Sequence, residues 1–394
     1  MLAATAALLY FSEGLPFGIV NDLLPVYLRV HHVDLTTIGL LSTVASAWTL
    51  KVFWSPLIDA FGTYRRWIAT AVLAMAICMG ALAVAPEHFG PLFWTIITIF
   101  AIASATQDLA VDAFTIRATP AEFVGPVNSI RVAAYRSALI VGGGGLVALS
   151  SVIGWRGSLA ASGVIACVVL VVALRLPDDR GGHNQRKSIT DLFRGLAQWL
   201  KRPRAGVLLA IVLLYRLGEL AIYTMIKPYW VDRGYSPAEI GTITTVIGVI
   251  ISILGAIAGG AIVARIGLYR AMLWLGAAQI ASNFGYALVA TTHAGRWAIY
   301  AAAIVENIGY GLGTGAFLAF LMAICDRERA ATEYAMLTAV FGLSRVLIGT
   351  PSGWIAKHAG YPTYFWLTVF LGIPGLLLVP FVRERIVRSG LEDQ

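Results

Sequence analysis

FAIASATQDLAVDAFT, residues Phe100–Thr115, is an apolar run that carries Gln107, Asp108 and Asp112. Residues four apart on a helix share one face, so the two carboxylates project side by side. The apolar segment around them, approximately 91–116, is long enough to cross a bilayer, which takes about 20 such residues. A charged side chain near the bilayer centre costs roughly 2.5–3.5 kcal/mol on insertion scales and therefore faces a water-filled cavity or a partner. Asp108 and Asp112 are candidate functional residues on that ground, with Gln107 beside them as a polar ligand.

The rest of the chain is of the same kind. Its 394 residues are 58% hydrophobic and 13% charged, with mean hydropathy +0.78, where an ordinary soluble domain is about 45–50% apolar. This composition excludes a soluble globular domain and implies an all-α polytopic membrane protein. With charges, Pro and Gly as breaks, twelve spans are expected, at approximately 3–28, 36–58, 67–86, 91–116, 124–150, 157–175, 206–229, 238–263, 269–290, 297–324, 331–356 and 361–382. The opening segment runs apolar to about Tyr27 without a basic region or a small-residue cleavage site, and reads as a first span rather than a cleaved signal. Pro177 to Arg204 is too polar to cross and forms a central linker.

The net charge of +8 points to the bilayer rather than to nucleic acid, because the basic residues fall at span ends. With both termini cytoplasmic, most of the 29 Lys and Arg lie in inside loops, the linker and the C-terminal tail, against Arg29, Arg156, Arg233, Arg296 and Lys357 outside. Cytoplasmic termini are therefore expected. Cys78, Cys167 and Cys325 lie in or at the ends of apolar spans without metal-site or disulfide spacing, and read as packing residues. His31 and His32, at the end of the first span, read as exposed residues rather than metal ligands.

An internal repeat divides the chain. Phe61-Gly62-Thr63-Tyr64-Arg65 after the second span matches Ile266-Gly267-Leu268-Tyr269-Arg270 after the eighth, and Ile38-Gly39 echoes Ile240-Gly241. Two six-helix halves are expected, 1–176 and 206–394, joined by the cytoplasmic linker 177–205. In such pseudo-symmetric transporters the substrate site lies between the halves near the midplane. Asp59, Gly62, Arg65 and Arg66, in the loop after the second span, are candidate gating residues whose charges latch the halves.

The ionisable residues inside spans are few. Glu13 lies mid-span ahead of Gly14 and Pro16, and Pro16 favours a gating bend. Arg131 and Arg136 share the fifth span; one meets substrate while the other pairs with Asp108 or Asp112. Arg216 and Glu219 lie three apart in the seventh span, with Lys227 before Pro228. Glu306 and Asn307 precede a glycine run, and Arg345 lies in the eleventh span. Lys51 reads as structural. The candidate proton-coupling acids are thus Asp108, Asp112, Glu13, Glu219 and Glu306. The candidate substrate ligands are Arg131, Arg136, Arg216 and Arg345, whose planar guanidinium suits carboxylates, with the amides of Gln107, Asn283 and Asn307. The Gly142–Gly145 run lacks the setting of a phosphate-binding loop and reads as helix packing.

The ordered stretches FSEGLPFGI (Phe11–Ile19), LTTIGLLS (Leu35–Ser42), LKVFWSPLIDAFG (Leu50–Gly62), SATQDLAVDAF (Ser104–Phe114), YRLGE (Tyr215–Glu219), ASNFGYAL (Ala281–Leu288), VENIGYGLGTGAFLAFLMAICD (Val305–Asp326) and ATEYAMLTA through RVLIGTPSGW (Ala331–Trp354) give the chain a family likeness. It resembles the AmpG muropeptide permeases of the major facilitator superfamily over nearly its whole length. The resemblance implies import of N-acetylglucosaminyl-anhydromuramyl peptides across the bacterial inner membrane in symport with protons. It implies a small anionic sugar-peptide substrate, no resident cofactor and no enzymatic activity. A monomer is expected. Acetyl-CoA transporters look similar in the first half, and siderophore permeases are related. A membrane enzyme using the buried acids, or a non-transporting receptor, are readings of a different class.

Overall fold

The computed structural model describes residues 2–85, 88–119, 124–177, 199–202, 204–325 and 330–383. Every regular element among the described residues is helical. Eight stretches of the described residues are long and apolar enough to cross a membrane. Two of these, Ser129–Ala173 and Met336–Val382, run 45 and 47 residues. Each is divided at a glycine with positive φ, Gly154 at 73° and Gly360 at 77°, and so holds two spans. Residues 2–30 and the helix Leu268–Thr292 complete the twelve expected spans.

In chain order these are α1 (2–30), α2 (35–60), α3 (Tyr64–Val84), α4 (Pro91–Ala118), α5 (124–153), α6 (155–173), α7 (Ala205–Asp232), α8 (Pro237–Ile266), α9 (Leu268–Thr292), α10 (Arg296–Ala323), α11 (330–359) and α12 (361–382). The internal repeat is visible in the backbone. Gly62 and Gly267 occupy the same place before α3 and α9, with φ of 75° and 80°, a conformation in which a Cβ would be strained. The entries to α2 and α8 also correspond. Asp34 caps α2 by accepting from the Thr36 and Thr37 amides, and Ser236 with Glu239 forms a capping box on α8.

Helix regularity is interrupted where charged or small residues must be placed. α1 contains Pro16 and then a π turn at Ile19–Leu23, α5 a π turn at Ile140–Gly145, and α8 one at Gly241–Ile247. π turns are rare and cluster at functional positions. α2 is divided into short pieces, one of them a 3-10 turn at Lys51–Phe53.

The chain forms two compact units. The first comprises Met1–Val33, Thr43–Ser188 and Trp230–Val246. Within it α1 and α5 approach backbone to backbone. A Cβ on Gly14 would lie 2.7 Å from the Tyr135 carbonyl oxygen, and one on Gly142 2.6 Å from that of Leu15. Gly144 likewise meets the Gly241 carbonyl at the start of α8. The Gly142–Gly145 run is helix packing.

The second unit comprises Asp34–Ser42, Ile189–Tyr229 and Ile247–Gln394. Its core joins Leu208, Ile211 and Tyr215 of α7, Met272 and Leu275 of α9, and Phe317 and Phe320 of α10. Tyr215 stacks on Phe317 and donates to the Met272 carbonyl, 2.7 Å away. The start of α2 packs on α11, where a Cβ on Gly353 would collide with the Leu35 carbonyl. Gly353→Ala is therefore expected to destabilise the protein by about 1–3 kcal/mol, because neither backbone can give way. Gly260→Ala, where a Cβ meets nothing within 4 Å, should be neutral or slightly stabilising. Thermal unfolding of both variants in detergent separates the two outcomes.

Candidate functional site

The first unit gathers a cluster of ionisable side chains from α1, α2, α4 and α5. The i, i+4 spacing on α4 places Asp108 and Asp112 along one stripe, and each has its own cation. Lys51 Nζ lies 3.1 Å from Asp108 Oδ2. Arg131 Nη1 lies 3.1 Å from Asp112 Oδ1. The Tyr10 hydroxyl donates to the same Asp112 oxygen at 3.1 Å, and the Arg131 guanidinium stands 4.8 Å over the Tyr10 ring. That arrangement holds one carboxylate by charge, hydrogen bond and cation–π contact together.

Glu13 lies in the same electrostatic neighbourhood, with Asp108, Asp112, Lys51 and Arg131. It is buried at 6% exposure, and its Oε2 has no hydrogen-bond partner among the described residues. Asp108 is equally buried, and its Oδ1 also lacks a partner. The Gln107 side-chain amide donates to the Ser12 hydroxyl, and its Oε1 is unpaired.

The expected division of labour between the arginines of α5 is resolved in part. Arg131 takes Asp112, and Arg136 makes no ion pair among the described residues. Asp108 is held by Lys51 rather than by an arginine. Sequence reasoning gave Lys51 a structural role and passed over Tyr10. The signal for Tyr10 was available, since it lies three residues before Glu13 on one helical face. The signal for Lys51 was not, because the 3-10 turn at Lys51–Phe53 breaks the periodicity by which a face is assigned.

The second unit holds a separate charged group. The Arg216 guanidinium donates through Nε to Glu219 Oε2 at 3.0 Å and through Nη2 to Glu219 Oε1, and both side chains are almost wholly buried. Arg216 also lies 4.8 Å over the Tyr310 ring. It sits at an interruption of α7, between Ala205–Leu214 and Leu217–Asp232. Arg345 is an electrostatic neighbour of Glu219, and Glu306 is a neighbour of Glu219, Lys227 and Arg216. Lys227 is buried at 3% exposure, with its ammonium 4.5 Å over the Tyr223 ring.

The amides differ in their commitments. Asn283 is buried with Oδ1 unpaired, as is Gln279 one turn earlier, which sequence reasoning missed. Asn307 donates to the Ala303 carbonyl at 2.8 Å and packs against Gly248.

Of the candidate gating residues, the Asp59 side chain lies outside the described residues, as does most of the linker. Gly62 turns the chain into α3, the Thr63 hydroxyl accepts from the Arg66 amide, and no ion pair of Arg65 or Arg66 is seen among the described residues. Loop ion pairs occur elsewhere. Arg29 grips Asp232 in a bidentate fork at 2.5 and 2.8 Å, within the first unit. Lys357 lies 3.3 Å from the helix-capping Asp34, within the second. The Asp34 carboxyl is set by partial burial, which raises its pKa, against hydrogen bonds from Thr37 and then Lys357, which lower it; the balance is a pKa of about 2. Among the described residues no group of His, Cys, Asp or Glu has the arrangement of a metal site.

The Major Facilitator Superfamily model matches residues 6–349. The anhydromuropeptide permease of Escherichia coli (strain K12) is 30% identical over 403 aligned residues, covering 99% of this chain and 82% of that protein. Among solved structures, a bacterial homolog to the human lysosomal transporter Spinster, inward-facing and unoccupied, superposes with a TM-score of 0.76 at 13% identity, covering 98% of this chain and 97% of that one. A D-xylose-proton symporter gives 0.69 at 14% identity, covering 96% of each. At these identities the two structures speak for the fold alone.

Proposed function

Because the chain belongs to the AmpG family of the major facilitator superfamily, and is thus a multi-pass secondary transporter, we propose that it imports anionic cell-wall muropeptides in symport with protons. The observation that carries this reading is the 30% identity over 99% of the chain to a permease of that name. The two buried charge clusters give it a physical basis.

Three carboxylates and two cations in the first unit provide for a proton, since burial without compensation opposes a full set of negative charges. Glu219 and Glu306 of the second unit are further acids in the path. In the charged group of that unit three cations, Arg216, Lys227 and Arg345, outnumber the two acids and suit the carboxylates of a sugar peptide. Arg131, Arg136 and the amides of Gln107, Asn283 and Asn307 are the remaining proposed ligands, and Asp59, Gly62, Arg65 and Arg66 the proposed gate. Transport is by alternating access in the bacterial inner membrane, with both termini cytoplasmic, by a monomer that needs no cofactor beyond the proton gradient.

The test is a competition panel in proteoliposomes carrying an inward proton gradient. Uptake of labelled N-acetylglucosaminyl-anhydromuramyl tripeptide is measured against excess unlabelled tripeptide, acetyl-CoA or a ferric siderophore. The expected result is concentrative uptake displaced by the tripeptide and by neither of the others. Binding without gradient-driven flux would support a receptor, and chemical conversion of the tripeptide without accumulation would support an enzyme.

A further inference from the structure

We infer that Glu13 is the residue that carries the coupled proton, and that Asp108 and Asp112 serve as fixed counter-ions of Lys51 and Arg131. This rests on the proton-coupled reading and goes beyond it by assigning the proton to one atom group. The argument is a charge count with a geometric tie-breaker. The charged and titratable groups that face Glu13 are Tyr10 from its own helix, Lys51 from α2, Asp108 and Asp112 from α4, and Arg131 from α5. Among the described residues, three carboxyl groups and two cations therefore share one electrostatic neighbourhood. Fully ionised, the set would carry one uncompensated negative charge, with Glu13 and Asp108 buried and Asp112, Lys51 and Arg131 partly exposed. One bound proton makes it neutral.

The contacts decide where that proton goes. Asp112 accepts from Arg131 and Tyr10, and Asp108 accepts from Lys51 through Oδ2 although its Oδ1 is unpaired, so the ionised form of each has a cation in contact. Among the described residues Glu13 has neither an ion pair nor a hydrogen bond to its Oε2, which is buried. A neutral carboxyl is the form that such a site tolerates. The chemistry is a simple transfer. An O–H bond forms on the Glu13 carboxylate as hydronium from the outer water yields its proton, and the same bond breaks when water reaches the pocket from the other side. Glu13 adjoins the Gly14-Leu15-Pro16 bend and the α1–α5 glycine contact, so the change of charge falls where α1 has interruptions to accommodate movement.

Two measurements on the purified full-length chain test this. Dicyclohexylcarbodiimide, which modifies protonated carboxyls in apolar surroundings, is expected to label Glu13, as mapped by peptide mass spectrometry, with the label decreasing as pH rises. Labelling of Asp108 or Asp112 with Glu13 unmodified would overturn the assignment. In proteoliposomes with a gradient of one pH unit, which supports about tenfold accumulation at one proton per solute, Glu13→Gln should bring labelled anhydromuramyl tripeptide to no more than its outside concentration. Its counterflow should also lose the pH dependence shown by the unsubstituted chain, and Glu13→Asp should regain part of both. Gradient-driven accumulation that persists in a monodisperse Glu13→Gln protein would overturn the proposal. If the unsubstituted chain shows no gradient-driven uptake, the proton-coupled reading fails, and the labelling experiment still decides where the buried proton resides.

Discussion

Asp108→Asn is expected to lose gradient-driven uptake and about 1–3 kcal/mol of stability, the cost of leaving a half-buried charge without its partner. The charge is that of Lys51, whose Nζ is 3.1 Å from Asp108 Oδ2. The instructive variant is the double substitution Asp108→Asn with Lys51→Met. Removing both members of a buried ion pair is often close to neutral, because the desolvation of two charges offsets most of their attraction. Thermal unfolding in detergent should therefore show most of the lost stability returning.

The effect on transport follows from the same count. The single substitution leaves two acids facing two cations, so Glu13 is stable as an anion and the proton has no site to fill. The double substitution leaves Glu13 and Asp112 facing Arg131 alone, and the charge deficit that binds one proton is restored. Coupled uptake should then return in the double variant. If Asp108 itself carried the proton, the double variant would be stable and uncoupled. Measuring stability and uptake on the same preparations distinguishes a counter-ion from a proton carrier.

Much of the fold follows from hydropathy and punctuation, and the exceptions have identifiable causes. Among the described residues eight rather than twelve helices are continuous, long and apolar, because Gly154 and Gly360 turn the chain without ending its hydrogen-bonded helix, α1 changes to a π turn after Gly18, and α9 carries the polar residues Gln279, Ser282 and Asn283. The repeat, by contrast, is visible in the sequence down to single residues. Gly62 and Gly267 share a backbone conformation, and Gly39 and Gly241 both sit at close helix contacts. The existence of the charged cluster was legible because the membrane penalises every one of its members. Its pairing was not. Arg131 and Arg136 are five residues apart, about 140° around a helix at 3.6 residues per turn, so at most one can face Asp112, and which one depends on the rotation of α5. The glycine-lined contact of α5 with α1 fixes that rotation. The partner of Lys51 was not legible for the related reason that α2 is too irregular for a face to be read from spacing.

Arg216→Met is the counterpart in the second unit, and there the expected loss is about 3–5 kcal/mol, since Glu219 would remain fully buried without its guanidinium. Here the question is whether Arg216 meets substrate. Its Nε and Nη2 are both committed to Glu219 and its plane lies over Tyr310, so binding a substrate carboxylate through that fork would first have to release Glu219. Arg345 is only partly buried and has a carboxylate neighbour in Glu219. The double substitution Arg216→Met with Glu219→Gln removes one charge of each sign and leaves the unit's excess of cations unchanged. If the pair is structural, this variant should recover stability and take up anhydromuramyl tripeptide with KM within about threefold of the unsubstituted chain. Arg345→Met should then raise KM by tenfold or more, corresponding to about 1.4 kcal/mol or more of lost binding. The opposite pattern, a stable double variant with KM raised tenfold and an Arg345→Met protein with KM unchanged, would assign the substrate carboxylate to Arg216 and make Glu219 the group that substrate displaces.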